Sequence, residues 1–109
     1  MSPLRWSKRA EADLEEARAW FALAGSRVER AWLRRIRKRL SQLQRFPFSG
    51  QLVIPERAVR HVVIGNFRIF YRLDSDVIVI LRLRDARREL LEPDEIGERP
   101  GIYRVAQAA

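Results

Sequence analysis

The sequence has no cysteine and a single histidine, His61. Disulfides and thiol chemistry are thereby excluded, and a zinc site built on nitrogen and sulfur ligands lacks its donors. No apolar run approaches the roughly 18 residues needed to span a bilayer. The opening Met1-Ser2-Pro3-Leu4-Arg5-Trp6 also lacks the apolar stretch of a signal peptide. The expected compartment is therefore the cytoplasm, with no membrane partner. Glycine is scarce, five in 109 residues, and no glycine-rich phosphate loop occurs. Neither a Ser-His-Asp set in a nucleophile context nor a carboxylate-histidine metal cluster can be assembled. No metal and no cofactor is implied, and there is no internal repeat or low-complexity segment.

What is abundant is positive charge. The chain carries 22 Lys and Arg against 14 Asp and Glu, a formal net charge of +8. The excess is uneven: Arg27 to Arg84 holds fourteen basic residues against four acids, whereas Asp85 to Glu98 holds six acids against two arginines. A partner rich in negative charge is the first expectation, whether nucleic acid, an acidic protein segment or an anionic surface. With 47% hydrophobic residues the chain can build one core. We expect a single domain over residues 1–92 and an extended or partly ordered tail over 93–109.

The stretch Arg60 to Arg84 organises the rest. Three runs, Arg60 to Ile64, Phe67 to Leu73 and Val77 to Leu83, are separated by Gly65-Asn66 and by Asp74-Ser75-Asp76, the pattern of an antiparallel meander with tight turns. Strand side chains alternate faces. Phe67, Ile69, Tyr71 and Leu73 then share one face, with Arg68, Phe70 and Arg72 on the other. In the last run, Val77, Val79, Leu81 and Leu83 fall together, opposite Ile78, Ile80, Arg82 and Arg84. One face is apolar and needs a cover; the other gathers Arg68, Arg72, Arg82 and Arg84.

The cover lies upstream. Leu4-Arg5-Trp6 reads as a short strand, and Ser7 as the N-cap of a helix whose stripe is Ala10, Leu14, Ala17, Phe21 and Ala24. Gly25-Ser26 ends it. A second helix, about Arg27 to Arg45, has the stripe Leu33, Ile36, Leu40 and Leu43. So short a link makes the helices antiparallel, a hairpin laid on the sheet. The fold class is α+β. Trp20 and Trp32 stand at the edges of the stripes, as the rim of the core or as anchors for a partner. Phe46-Pro47-Phe48-Ser49-Gly50 breaks the helical pattern, Leu52 to Ile54 reads as a brief extended segment, and Asp85 to Glu92 as a short helix or cap ended by Pro93.

The arginine face carries the chemistry. Guanidinium is no base near neutral pH, yet it grips phosphate or carboxylate in a fork and stabilises charge developing in phosphoryl transfer. Glu11, Asp13, Glu15 and Glu16 read as acids near a helix start, and His61 as a packed or surface strand residue.

In its ordered text the chain resembles the ParE/RelE superfamily of bacterial type II toxins. The resemblance rests on Ser7-Lys8-Arg9-Ala10 with Asp13-Leu14, on Leu43 to Pro47 with Gly50, on Gly65 to Arg72, on Val77 to Arg82, and on Arg87-Arg88. It covers about Leu4 to Arg88. It implies a strand, a helical hairpin and a three-stranded meander. It also implies a plasmid-stabilising, growth-inhibiting toxin encoded beside an antitoxin that wraps the hairpin and the sheet, with operator DNA reached only through that antitoxin. RelE-like members cut mRNA in the ribosome. ParE-like members poison DNA gyrase and perform no chemistry of their own. Arg68 matches an arginine of the RNA-cleaving branch, and Arg87 or Arg88 matches its later one, but Leu90 to Asp94 stands where that branch places a tyrosine. The ending Leu81 to Arg88 looks ParE-like, although Asp85 stands where that branch commonly has histidine. The ParE-like reading is preferred, with partner contacts expected at Trp20, Trp32, Arg60, Arg68, Arg72, Arg82 and Arg84. An RNase reading would instead use Arg68, Arg82, Arg84 and Arg87.

Overall fold

Ser7 stands where the chain turns from strand into helix, and its bonds explain why it must. Its backbone is extended, and its hydroxyl accepts from Ala10 N at 3.1 Å, capping helix α1 (Lys8–Ala22). The same hydroxyl donates to Leu81 O at 3.1 Å, and Ser7 N donates to Ile80 O at 2.9 Å. One buried serine thus ties the end of strand β1 (Leu4–Trp6) and the start of α1 to the last strand of the sheet.

The computed structural model describes residues 1–85. After α1, Gly25 adopts φ +119, a conformation that side chains other than glycine's rarely take, and α2 (Ser26–Arg45) runs back antiparallel. Arg18 Nε reaches Glu29 at 3.0 Å across the hairpin. Then come β2 (Gln51–Ile54), a 3-10 turn at Pro55–Arg57, β3 (Val59–Ile64), β4 (Phe67–Asp74) and β5 (Val77–Asp85). The expected meander is thereby the middle of a five-stranded sheet in the order β1-β5-β4-β3-β2. Strand β1 joins it in parallel beside β5, and β2, the segment read as merely extended, pairs antiparallel with β3. Among the described residues no helix is long and apolar enough to cross a membrane. The expectations for Asp85 to Glu92, for the tail over 93–109 and for Arg87 and Arg88 lie wholly or, for Asp85 to Glu92, almost wholly outside the described residues.

Both helices pack on one face of the sheet. Ala10 and Ala17 of α1, and Trp32, Ile36, Leu40 and Leu43 of α2, meet Val62, Ile64, Ile69, Tyr71, Ile78, Ile80 and Leu83. The small alanines let α1 lie close to β5. Ile69, Ile78 and Ile80 lose all solvent contact, which stabilises the fold by roughly 1.5–3 kcal/mol each. Ala24 lies beyond the helix and is exposed.

Strict alternation fails at one place. Phe70 pairs with Arg82 but Tyr71 with Ile80, so Leu81 is an extra residue in β5, a β-bulge. Upstream of it Ile78 and Ile80 face the helices while Val77 and Val79 face away; downstream Leu83 faces the helices. This corrects both groupings: Ile78 and Ile80, read on the face of Arg82 and Arg84, lie under the helices with Leu83, and Val77, Val79 and Leu81, read with Leu83 as the covered face, lie outside. It also changes the character of the outer face. Ile54, Val59, Phe70, Val79 and Leu81 form a second buried cluster there, so the arginines border an apolar core and do not stand on an open cationic plane.

Candidate functional site

The arginines expected on the outer face separate into distinct environments. Arg68 and Arg84 are cross-strand partners on β4 and β5, both half-buried. Like charges directly opposite are unfavourable in a sheet, and Arg84 has a contact of its own within the fold. Val63 of β3, on the other side of Arg68, is exposed. His61 pairs with Phe70, edge-on to its ring at 5.7 Å, and its Nε2 lies 3.4 Å from Gln51 Oε1. Burial first, and the field of Arg68 second, push the His61 imidazole below its ordinary 6.5, so it is neutral near pH 7.

Arg72 is held at the far end of β4 by Asp74, 2.7 Å away. Arg82 bends over the edge of β5 to Asp13 of α1, its Nε donating at 2.7 Å and Nη2 at 3.2 Å, while Leu83 N donates to the same carboxylate at 3.0 Å. The reason is topological. Strand β1 leaves β5 at Ile80, and beyond that point the edge N–H of Leu83 needs another acceptor. Asp13 supplies it. Arg82 is therefore a structural cation first, which alters the expectation that it gathers with Arg68. The sequence reading of Asp13 as one of several helix acids missed this role, because its partners are 69 and 70 residues away.

Arg60 is likewise committed inward. It donates to Gly50 O at 2.8 Å and Phe48 O at 3.3 Å, and its guanidinium lies over the Phe48 ring at 5.2 Å. The residues expected to bind a partner thus do not converge in one patch.

The two tryptophans also part company. Trp32 is 5% exposed, stacked on Phe21 at 4.7 Å and beside Phe67 at 5.4 Å. It is core, at a position where the helix stripe includes it beside Leu33. Trp20, 61% exposed, meets the Phe21 ring edge-on at 5.2 Å. It lines an open depression of about 510 Å³ between α1 and the end of β5, with Arg9, Glu16, Phe67 and Arg84. Phe67 also lines a second depression, about 450 Å³, whose walls include Val28 and Trp32 and whose cations are Arg27 and Arg35. Both open at the end of the molecule where the hairpin tip meets the β3–β4 turn. Helix α2 itself carries eight basic residues and one acid between Ser26 and Arg45.

A parallel first strand on the edge, a helical hairpin on one face and an antiparallel meander define the fold of ParE and RelE toxins. The chain belongs to the ParE toxin family: the model for the ParE toxin of type II toxin-antitoxin system, parDE, matches residues 4–90. No curated protein matches the chain. Among solved structures, the chromosomal ParDE toxin-antitoxin system from P. aeruginosa is similar at 23% identity and TM-score 0.67, over 78% of this chain and 96% of that one. The toxin-antitoxin complex RelBE2 from Mycobacterium tuberculosis is similar at 23% identity and TM-score 0.56, over 77% and 96%. The protein is accordingly a toxin of the type II toxin-antitoxin class, ParE family.

Proposed function

We propose that this toxin acts in the cytoplasm as a ParE-like poison of DNA gyrase, binding its target without breaking or making a bond itself. The antitoxin that silences it seats on the cationic, aromatic end of the hairpin, where Trp20 and the arginines of α2 meet acidic side chains. The environment of the arginines supports a binding role. Arg82 is engaged by Asp13, Arg60 braces a loop, and the Tyr71 hydroxyl is hydrogen-bonded on both sides, to Pro47 O and Gly50 N. A phenol so held does not carry protons to a substrate. The test is a supercoiling and DNA-cleavage assay with purified gyrase. Loss of supercoiling with trapped cleaved DNA is expected, and unchanged gyrase at large excess of toxin would refute the target.

One observation favours a second reading, ribosome-dependent mRNA cleavage. His61 is neutral and lies close enough to Arg68 to feel its charge, a base beside a phosphate-binding cation. Primer extension in a translation extract would then show codon-phased cuts that Arg68→Ala abolishes. An uncut message excludes this reading.

A further inference from the structure

The loop after α2 is braced at every turn and yet presents its two largest side chains to water. Tyr71, wholly buried, donates its hydroxyl to Pro47 O at 2.8 Å and accepts from Gly50 N at 3.0 Å. Arg60 donates to Phe48 O and Gly50 O, Ser49 N donates to Phe46 O at 3.0 Å, and Phe46 N donates to Gln42 O at 3.0 Å. Gly50 is buried where a Cβ would lie 2.6 Å from the Tyr71 hydroxyl. Phe46 is nevertheless 65% exposed and Phe48 69%. Among the described residues the Arg60 guanidinium lies over the Phe48 ring and both phenyl rings otherwise stay largely open to water, and exposed aromatic side chains beside arginine are common anchors of protein interfaces. The loop has already lost the conformational freedom that binding would otherwise have to remove.

We propose that Phe46 and Phe48 form a second docking surface, for a folded protein with an apolar recess rimmed by carboxylates. Its site lies at the C-terminal end of α2, the opposite end of that helix from the depressions beside Trp20 and Val28. The charge of the occupant follows from the rim. Arg45 precedes Phe46, and Arg39 and Arg60 are the cations whose fields reach the Tyr71 hydroxyl inside the loop; α2 contributes a single acid, at its other end. A protein fits better than a nucleic acid. The Arg60 guanidinium covers one side of the Phe48 ring and leaves its edge and remaining face to enter a recess. The exposed Leu52, paired with Arg60 across β2 and β3, extends the apolar surface.

This surface rests on the reading that the toxin acts by gripping a macromolecular target, and it assigns that grip to the loop. The experiment compares wild type, Phe46→Ser/Phe48→Ser and Arg45→Glu, each without antitoxin. Melting temperature by circular dichroism, affinity for purified gyrase at two salt concentrations, anisotropy of a labelled single-stranded oligonucleotide, and growth arrest on induction are measured. The double variant is expected to melt with wild type and to bind gyrase at least about tenfold more weakly. Arg45→Glu is expected to weaken binding more at low salt than at high. A double variant that binds gyrase and arrests growth as wild type does overturns the proposal and leaves the target standing. If wild type ignores gyrase but arrests growth, and the double variant does not arrest it, the gyrase target fails while the docking surface stands. Loss of oligonucleotide binding alone overturns it in favour of nucleic acid.

Discussion

Removing one oxygen atom, with Tyr71→Phe, tests how the connection between α2 and β2 is held. The rings have the same shape, so no cavity opens, and the change isolates the hydroxyl. Two groups lose their partner. Gly50 N–H is buried and cannot turn to water, a loss of about 1–3 kcal/mol. Pro47 O sits on a half-buried residue and recovers some hydration, so its loss is nearer the net value of about 1 kcal/mol. Together these come to about 3 kcal/mol, which for a domain of this size lowers the melting temperature by roughly 12 °C. Urea unfolding measures it, as a midpoint shift of about 1.5 M with an unchanged slope. A shift under about 0.5 kcal/mol would refute the claim that this hydroxyl holds the loop.

The companion change is Gly50→Ala. The added Cβ would lie 2.6 Å from the Tyr71 hydroxyl, 2.7 Å from His61 O and 2.8 Å from a ring carbon of Tyr71. Deleting the hydroxyl relieves only the first, and the others are strand backbone and an aromatic ring that cannot give way. Gly50→Ala is therefore expected to destabilise the Tyr71→Phe protein as well, and full rescue would refute the packing argument. There is an alkaline signature too. Burial raises the Tyr71 phenol above its ordinary 10.0, so above pH 10 the unfolded chain loses a proton that the folded one keeps. Stability falls as pH climbs from there through the folded value, and Tyr71→Phe removes that part of the decline.

Asp13→Ala removes the Arg82 ion pair and the acceptor of the Leu83 N–H at a site where Asp13 is 14% exposed and Arg82 11%; a loss of about 3 kcal/mol is expected in chemical denaturation. Asp13→Asn keeps an acceptor for Leu83 and loses about half as much. Trp32→Ala costs about 3–5 kcal/mol, whereas Trp20→Ala leaves the melting curve within about 0.5 kcal/mol of wild type; equal effects would contradict the core and surface assignments. His61 sits below its ordinary 6.5 because of burial and Arg68. The unfolded chain thus binds the proton first, and stability falls as pH drops from 6.5 through the folded value. His61→Gln flattens that limb in acid titrations followed by circular dichroism.

Much of this fold was legible because local signals agreed. Ser7, Gly25 and the apolar stripes mark the hairpin, and Gly65-Asn66 with Asp74-Ser75-Asp76 marks the turns. What escaped was set by distant partners. A parallel partner for β5 was not legible in Leu4 to Trp6, since the strand that receives it is more than 70 residues away. The bulge at Leu81 was hidden because Val77 to Leu83 reads as unbroken alternation, and either face of β5 is apolar enough to be the inner one. Burying both faces resolves that ambiguity: Ile78 and Ile80 join the helix-side core, Val79 and Leu81 the outer one.

The same bulge explains why the arginine cluster was legible in position and not in purpose. By adding a residue it keeps Arg82 opposite Phe70 and Arg84 opposite Arg68 while returning Leu83 to the helices. Charge count alone treats these guanidinium groups as equivalent, but their neighbours do not. Arg82 lies where β1 has ended, so it and the bare edge share Asp13; Arg84 lies across from a like charge; Arg60, toward the opposite edge of the sheet, is turned inward by the backbone carbonyls of the loop. Position along the sheet thus decides which neighbours each arginine meets. By that criterion Arg68 and Arg72, both on β4, differ. The strand neighbours of Arg68 are Arg84 and the exposed Val63, and neither neutralises it, whereas Arg72 on the same strand is paired with Asp74.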